Sequence, residues 1–194
     1  AGSGYDRAEK AGVASMTNAI MQRGAEGMDE DEIARRTADI GAAIAGRFDN
    51  DRAGLAMRTL SDKTIREQAL DVFTRTLHKP LLPAAVITRE KTRLVSAIKE
   101  SDIQPGTIAS RTFNTLMYGV HPYGLRGSGE IESVGKITRD DLVAFYRGHY
   151  AARGSVIAIM GDVSRVDAAA IAERIAAGLP AAPAQAPVLP PVEV

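Results

Sequence analysis

Three histidines are the side chains best suited to acid–base work near neutral pH, and none stands at a spacing that pairs it with a second ligand or base. His78 precedes Lys79 and Pro80 at a helix end, His121 lies in a loop and His149 closes another helix, so each reads first as a cap or surface histidine. No H-x-x-x-H, H-x-x-E-H or H-E-x-x-H is present, so no helix offers two imidazoles on one face to a metal. Cysteine is absent, which removes thiolate nucleophiles and thiolate zinc sites and leaves His and carboxylates as the strong ligands. No G-x-S-x-G elbow presents a serine. Gly124, Gly127 and Gly129 give only a weak phosphate signal, because the pattern shows no strand leading in and no helix leading out; the segment reads as a flexible connecting loop. Glu130 and Glu132 read as loop carboxylates, and Asp140 and Asp141 as helix-start carboxylates favoured by the dipole. On residue types and spacing alone, no active site is visible.

The elements that would carry these residues alternate between helical and strand-like texture. Apolar spacing predicts a helix from about Asp6 to Arg23, stopped by Gly24, and a second opened by Asp29, Glu30, Asp31 and Glu32 and stopped by Gly41. Short apolar runs over 42–48 and 53–60, joined by Asp49-Asn50-Asp51, predict a hairpin. Ser61 is placed to cap a helix that Pro80 ends; further helices follow over 83–99, 107–118, 139–149 and 165–177. Thr138 with Asp141, and Ser164 with Asp167, have the spacing of a capping box. Between the last two helices, Ser155-Val156-Ile157-Ala158-Ile159-Met160 is apolar on both faces, the pattern of a central strand. Residues 180–194 are rich in Pro and Ala and read as a linker.

Composition sets the class. At 194 residues a chain buries roughly 70% of its unfolded surface, so the core requires no metal or disulfide staple. Twenty-four basic residues balance 24 acidic ones, and nine aromatics are scattered, which argues against a nucleic-acid surface. No apolar run is long enough for a membrane-spanning helix.

The order of short motifs carries a resemblance. Ala1 to Asp6, Lys10-Ala11-Gly12-Val13-Ala14, Gly24, Glu32-Ile33-Ala34 and Leu60-Ser61-Asp62 open it. His121-Pro122-Tyr123-Gly124, Ile137 to Leu142, Phe145-Tyr146, His149-Tyr150 and Met160-Gly161-Asp162-Val163 continue it. Together they resemble the N-terminal peptidase domain of the pitrilysin/insulinase family, which includes the mitochondrial processing peptidases. The resemblance implies an α+β domain of the LuxS/processing-peptidase-like type over residues 1–179, with a mostly antiparallel sheet and helices packed on one face. It also implies that the first strand or strands lie outside this stretch, and that 180–194 leads to a second, similar domain.

Members that cut peptides hold zinc through H-x-x-E-H on the first helix, with the Glu as general base, and through a Glu on a later helix. On that pattern Ser15 and Ala19 occupy the two histidine positions and Asn18 the base. Glu90 matches the first Glu of the later helix, whereas the second falls on Ala97; a slip of one residue finds Ser96 or Ile98, also non-ligands. The resemblance therefore implies a catalytically silent member that holds no zinc. Its implied partner is an active zinc-bearing subunit, or a second copy of itself, and its implied ligand a peptide. Alternatives are a structural subunit like the core proteins of respiratory complex III, or a peptidase with an unorthodox metal site. Tyr123 and Arg126 are its substrate-contact candidates, and the Ala/Arg-rich composition suggests a bacterial chain, for which periplasm or cytoplasm is the expectation.

Overall fold

The computed structural model describes residues 2–183, 188, 189 and 191, so part of the predicted 180–194 linker lies outside the described residues. The first predicted helix is shorter than its apolar spacing. Two 3-10 turns, Ser3–Tyr5 and Ala8–Lys10, precede helix α1, which covers only Val13–Ile20. Gly12 sets this start: it holds φ at 98°, outside the helical region, and a Cβ there would meet Ser128 O at 2.7 Å. Asp6 fixes the geometry of this corner, its buried carboxyl group accepting from Gly12 N at 2.7 Å and Ala14 N at 3.1 Å.

A small ribbon of β1 (Gly24–Ala25) and β2 (Met28–Asp29) leads into α2 (Glu30–Asp39). Asp29 caps α2 through Glu32 N at 2.8 Å, as the acidic cluster predicts. Gly41, at φ 62°, turns the chain into the predicted hairpin, β3 (Ala43–Phe48) paired antiparallel with β4 (Ala53–Arg58) in the register Ala43 to Arg58. Its turn is fixed by Asp49, whose carboxylate accepts from Asp51 N and Arg52 N. Helix α3 (Lys63–His78) is capped by Asp62 rather than Ser61, its Oδ1 accepting from Ile65 N at 3.0 Å. Then come α4 (Ala84–Ser101), α5 (Pro105–Tyr118), α6 (Ile131–Lys136), α7 (Arg139–His149) and α8 (Arg165–Ala177). Thr138 and Asp141 form a reciprocal capping box on α7, while Ser164 caps α8 in one direction only, through Asp167 N.

One main core gathers Val13, Met16 and Ile20 of α1 with Phe73 and Leu77 of α3, Val86, Ile87 and Ile98 of α4, and Leu142 and Phe145 of α7. The hairpin packs on α1 through half-buried Ile44, Phe48, Leu55 and Met57. Tyr146 ties α7 to the end of α3, its hydroxyl donating to Leu77 O and His78 O at 2.7 and 2.9 Å.

Two expectations fail. The fold is mixed α/β but dominated by helices; among the described residues the strands form only two two-stranded ribbons, so a mostly sheet architecture does not hold. The chief reason is residues 155–160, which have strand composition but no strand beside them: Val156 and Met160 are 93% and 94% exposed. A strand exists only through a neighbour's hydrogen bonds, and no described segment provides them. The second failure is the Gly124–Gly129 region. A helix does follow it, α6, with Glu130 at its start and Ser133 Oγ accepting from Glu130 N at 2.9 Å. The loop is also tightly fitted rather than loose, since Gly129 sits at φ 83° against the backbone of Ala11 and Ser133 Oγ donates to Ala11 O.

Candidate functional site

Helix α1 presents the residues of the predicted emptied metal site. Ser15 and Ala19 are one turn apart and half-buried, so they share a face, and Asn18 beside them is 4% exposed. The Asn18 amide acts as a bracket. Its Nδ2 donates to Gly54 O of the hairpin at 2.8 Å and to Tyr150 Oη, just beyond α7, at 3.2 Å. On the paired strand Gly46, opposite Leu55, comes so close that any Cβ there would run into the Asn18 side chain. Burial pushes the Tyr150 phenol up to about 12, so its hydroxyl stays protonated at neutral pH.

An amide so held takes no proton from water, and an alanine at 19 offers no lone pair. Glu90 on α4, the one carboxylate that fits the family's pattern there, is buried but engaged by its own helix: Arg93 Nε lies 2.7 Å away and Arg89 3.7 Å. Ser96 and Ala97, further along α4, are exposed. The three histidines sit on separate elements. His78 Nε2 pairs with Ile175 O at 2.8 Å; His121 is buried, its Nδ1 accepting from Tyr123 N; His149 stacks on Phe145 at 4.2 Å, and burial lowers its pKa to about 4. Among the described residues no three His, Cys, Asp or Glu side chains come together as a metal site. The donor set on α1 and α4 does not fit zinc, and no metal-assisted step can be written for it.

Tyr123 and Arg126 do meet, at a cavity of about 550 Å³ lined by one side of α5 and the loop leading to α6. Tyr123 stacks edge-on against His121 at 4.8 Å, and its hydroxyl donates to Asp51 in the hairpin turn. Arg126 donates through Nη2 to Asp102 at the end of α4, and that contact holds the Asp102 carboxyl below its usual range. Arg111 of α5 spans Asp102 and Glu130 at 3.1 and 2.8 Å. Sequence reasoning singled out Tyr123 and Arg126, set Glu130 aside as a loop carboxylate and passed over Asp102 and Arg111, whose partners are between nine and 24 positions away. α5 shows an inversion: its polar residues Thr107, Ser110, Arg111 and Asn114 line the cavity, while Phe113, Leu116 and Met117 are exposed.

The family profile described as insulinase (peptidase family M16) matches residues 1–126. The chain belongs to the M16 peptidases. A second profile, the M16 inactive domain, matches residues 136–194. A solved M16 inactive domain from Pseudomonas fluorescens is 38% identical, with a TM-score of 0.91 over 96% of this chain and 45% of that one. A protease from Helicobacter pylori shares the fold at 17% identity, with a TM-score of 0.87 over 100% of this chain and 46% of that one. Among curated proteins, the "probable mitochondrial-processing peptidase subunit beta" of Arabidopsis thaliana is 24% identical over 163 residues, 84% of this chain and 30% of that protein. The chain thus spans less than half the length of these relatives. The expected family is confirmed, and the profile over 136–194 and the P. fluorescens structure are both described as inactive domains.

Proposed function

We propose that this M16 domain is a non-catalytic module that pairs with a zinc-bearing subunit of the same family and forms part of the wall of its substrate chamber. The observation that carries this is Asn18: where the resemblance places the general base, the chain has an amide hydrogen-bonded into the scaffold between the hairpin and Tyr150. A scaffold kept while its chemistry is replaced by structural contacts fits a partner better than an enzyme. In this reading residues 1–179 are the peptidase-like domain, 180–194 lead to a second similar domain, and the module itself holds no zinc. The P. fluorescens inactive domain and the processing-peptidase subunit support the reading, the first by its type and the second by being named a subunit.

Co-expression with the H-x-x-E-H relative from the same genome tests it. The expected result is a complex stable to gel filtration, with peptidase activity at least tenfold above that of the zinc-bearing protein alone. No complex and no change in activity would sink the proposal. Tightly held stoichiometric zinc in this chain purified by itself would restore an enzymatic role.

A further inference from the structure

Helix α5 wears its amphipathic pattern inside out. Thr107, Ser110, Arg111 and Asn114 line the cavity, and no residue of the helix is buried. Ala109, Phe113, Leu116 and Met117, spaced i, i+4, i+7 and i+8, form an apolar stripe on the other side. Phe113 is 61% and Leu116 81% exposed, and Val120, just past the helix, is wholly exposed. With Met117 these side chains present on the order of 600 Å², the top of the range for the largest apolar patch on a monomer. Nothing on the stripe is charged: Arg111, the one charged residue of α5, lines the cavity and spans Asp102 and Glu130.

We propose that a second copy of this chain covers the stripe, the two α5 helices packing antiparallel about a two-fold axis near residues 112 and 113. A two-fold contact sets a surface against itself, so any charge on it meets its own kind across the axis. An uncharged stripe on a chain of zero net charge meets no such repulsion, whereas an acidic or basic partner would find no counter-charge there. Size is complementary too. Reversal brings small Ala109 of one copy opposite Leu116 of the other, on both sides of the axis, and leaves the two Phe113 rings to stack near it. With its polar surroundings the stripe approaches the roughly 800 Å² per partner that a stable dimer buries. The pairing does not rest on the zinc-bearing subunit proposed above. A subunit that buries the same face competes with the second copy, and the two readings fail separately, because the dimer is measured on this chain alone.

Sedimentation of the purified chain at its natural length is expected to show a monomer–dimer equilibrium at micromolar concentration. Leu116→Lys is expected to weaken the dimer by about tenfold or more, as a central interface residue does, with the melting temperature of the monomer unchanged because the site is exposed. Val166→Lys, at an equally exposed apolar site on α8, is expected to leave the dimer intact. The chain has no cysteine, so Ala109→Cys combined with Leu116→Cys reads the register. Oxidation is expected to join two chains, since within one chain the two positions lie roughly 10 Å apart along the helix and cannot bridge. A monomer at every concentration, a dimer indifferent to Leu116→Lys, or a double-cysteine form that does not cross-link would each overturn the proposal. So would a monomer whose α5 amides are protected from exchange only when a zinc-bearing subunit is added, or are already protected by another part of the same chain.

Discussion

Asn18 and Asp6 show how single side chains in this domain do structural work, the first at a position where a sequence reader looks for chemistry. Asn18→Ala removes two hydrogen bonds and leaves Gly54 O and Tyr150 Oη short of a donor, so it is expected to cost about 1–3 kcal/mol in urea unfolding. The assignment of ligand positions has its own test. The quadruple variant S15H/N18E/A19H/A97E is expected to retain about one zinc per chain through dialysis, as a three-ligand site of this kind does. A folded quadruple variant that takes up no zinc would show that the four positions do not converge. Asp6 gives a pH signature. Burial raises its pKa from 3.8 to about 7 in spite of the Gly12 and Ala14 N–H groups, so between those values the folded state binds more protons than the unfolded state. The sign is fixed: stability is full below about pH 4 as far as this group is concerned, and falls as pH rises through 7, by up to ~4 kcal/mol. Asp6→Asn is expected to flatten the urea midpoint between pH 5 and 8.

At the level of elements, what the sequence shows depends on how local each cause is. Helix α2, the hairpin, α7 and α8 follow from caps, glycines and apolar spacing within a few residues, and all four lie close to where those signals put them. α1 is trimmed by Gly12, whose positive φ answers to a backbone over a hundred positions away at Ser128. The apolar run at 155–160 is the reverse case: local composition signals a strand, but pairing is non-local and no described neighbour supplies it. The candidate site divides in the same way. Ser15, Asn18, Ala19 and Ala97 are assigned by the order of motifs alone, which the quadruple variant tests, whereas the Glu90–Arg93 pair and the Asp102 anchor of Arg126 arise only once helices and loops are placed. An unpaired apolar run also has a consequence in solution. Val156→Lys with Met160→Lys is expected to leave the unfolding midpoint within about 0.5 kcal/mol, as exposed substitutions do. The same pair should raise the concentration at which the isolated domain begins to self-associate, measured by light scattering, because an exposed β-branched run is a template for intermolecular pairing.

For the whole molecule, charge and apolar surface together say how it would meet a partner. Lysine and arginine equal aspartate and glutamate at 24 each, and many of these charges are already spent inside the domain, as in Lys10–Asp141, Arg23–Glu30–Arg89 and Arg174–Glu67. Little net field is left to steer a partner from a distance. The surface instead exposes Phe113, Leu116 and Met117 on the outward side of α5, with Val120 beyond its end, and Val156 and Met160 on the unpaired run. Exposed apolar side chains of that number mark contact surfaces more than solvent-facing ones. Association with a zinc-bearing subunit is therefore expected to be driven by apolar burial. Its dissociation constant should change less than about threefold between 0.05 and 0.5 M NaCl, a range over which the Debye length falls from about 14 to 4 Å and charge steering is lost. Calorimetry at both salt concentrations gives the answer, with a negative heat-capacity change as the independent mark of apolar burial. A loss of affinity of tenfold or more in high salt, with little heat-capacity change, would mean that charged groups hold the pair together and that the outward face of α5 is not where the subunits meet.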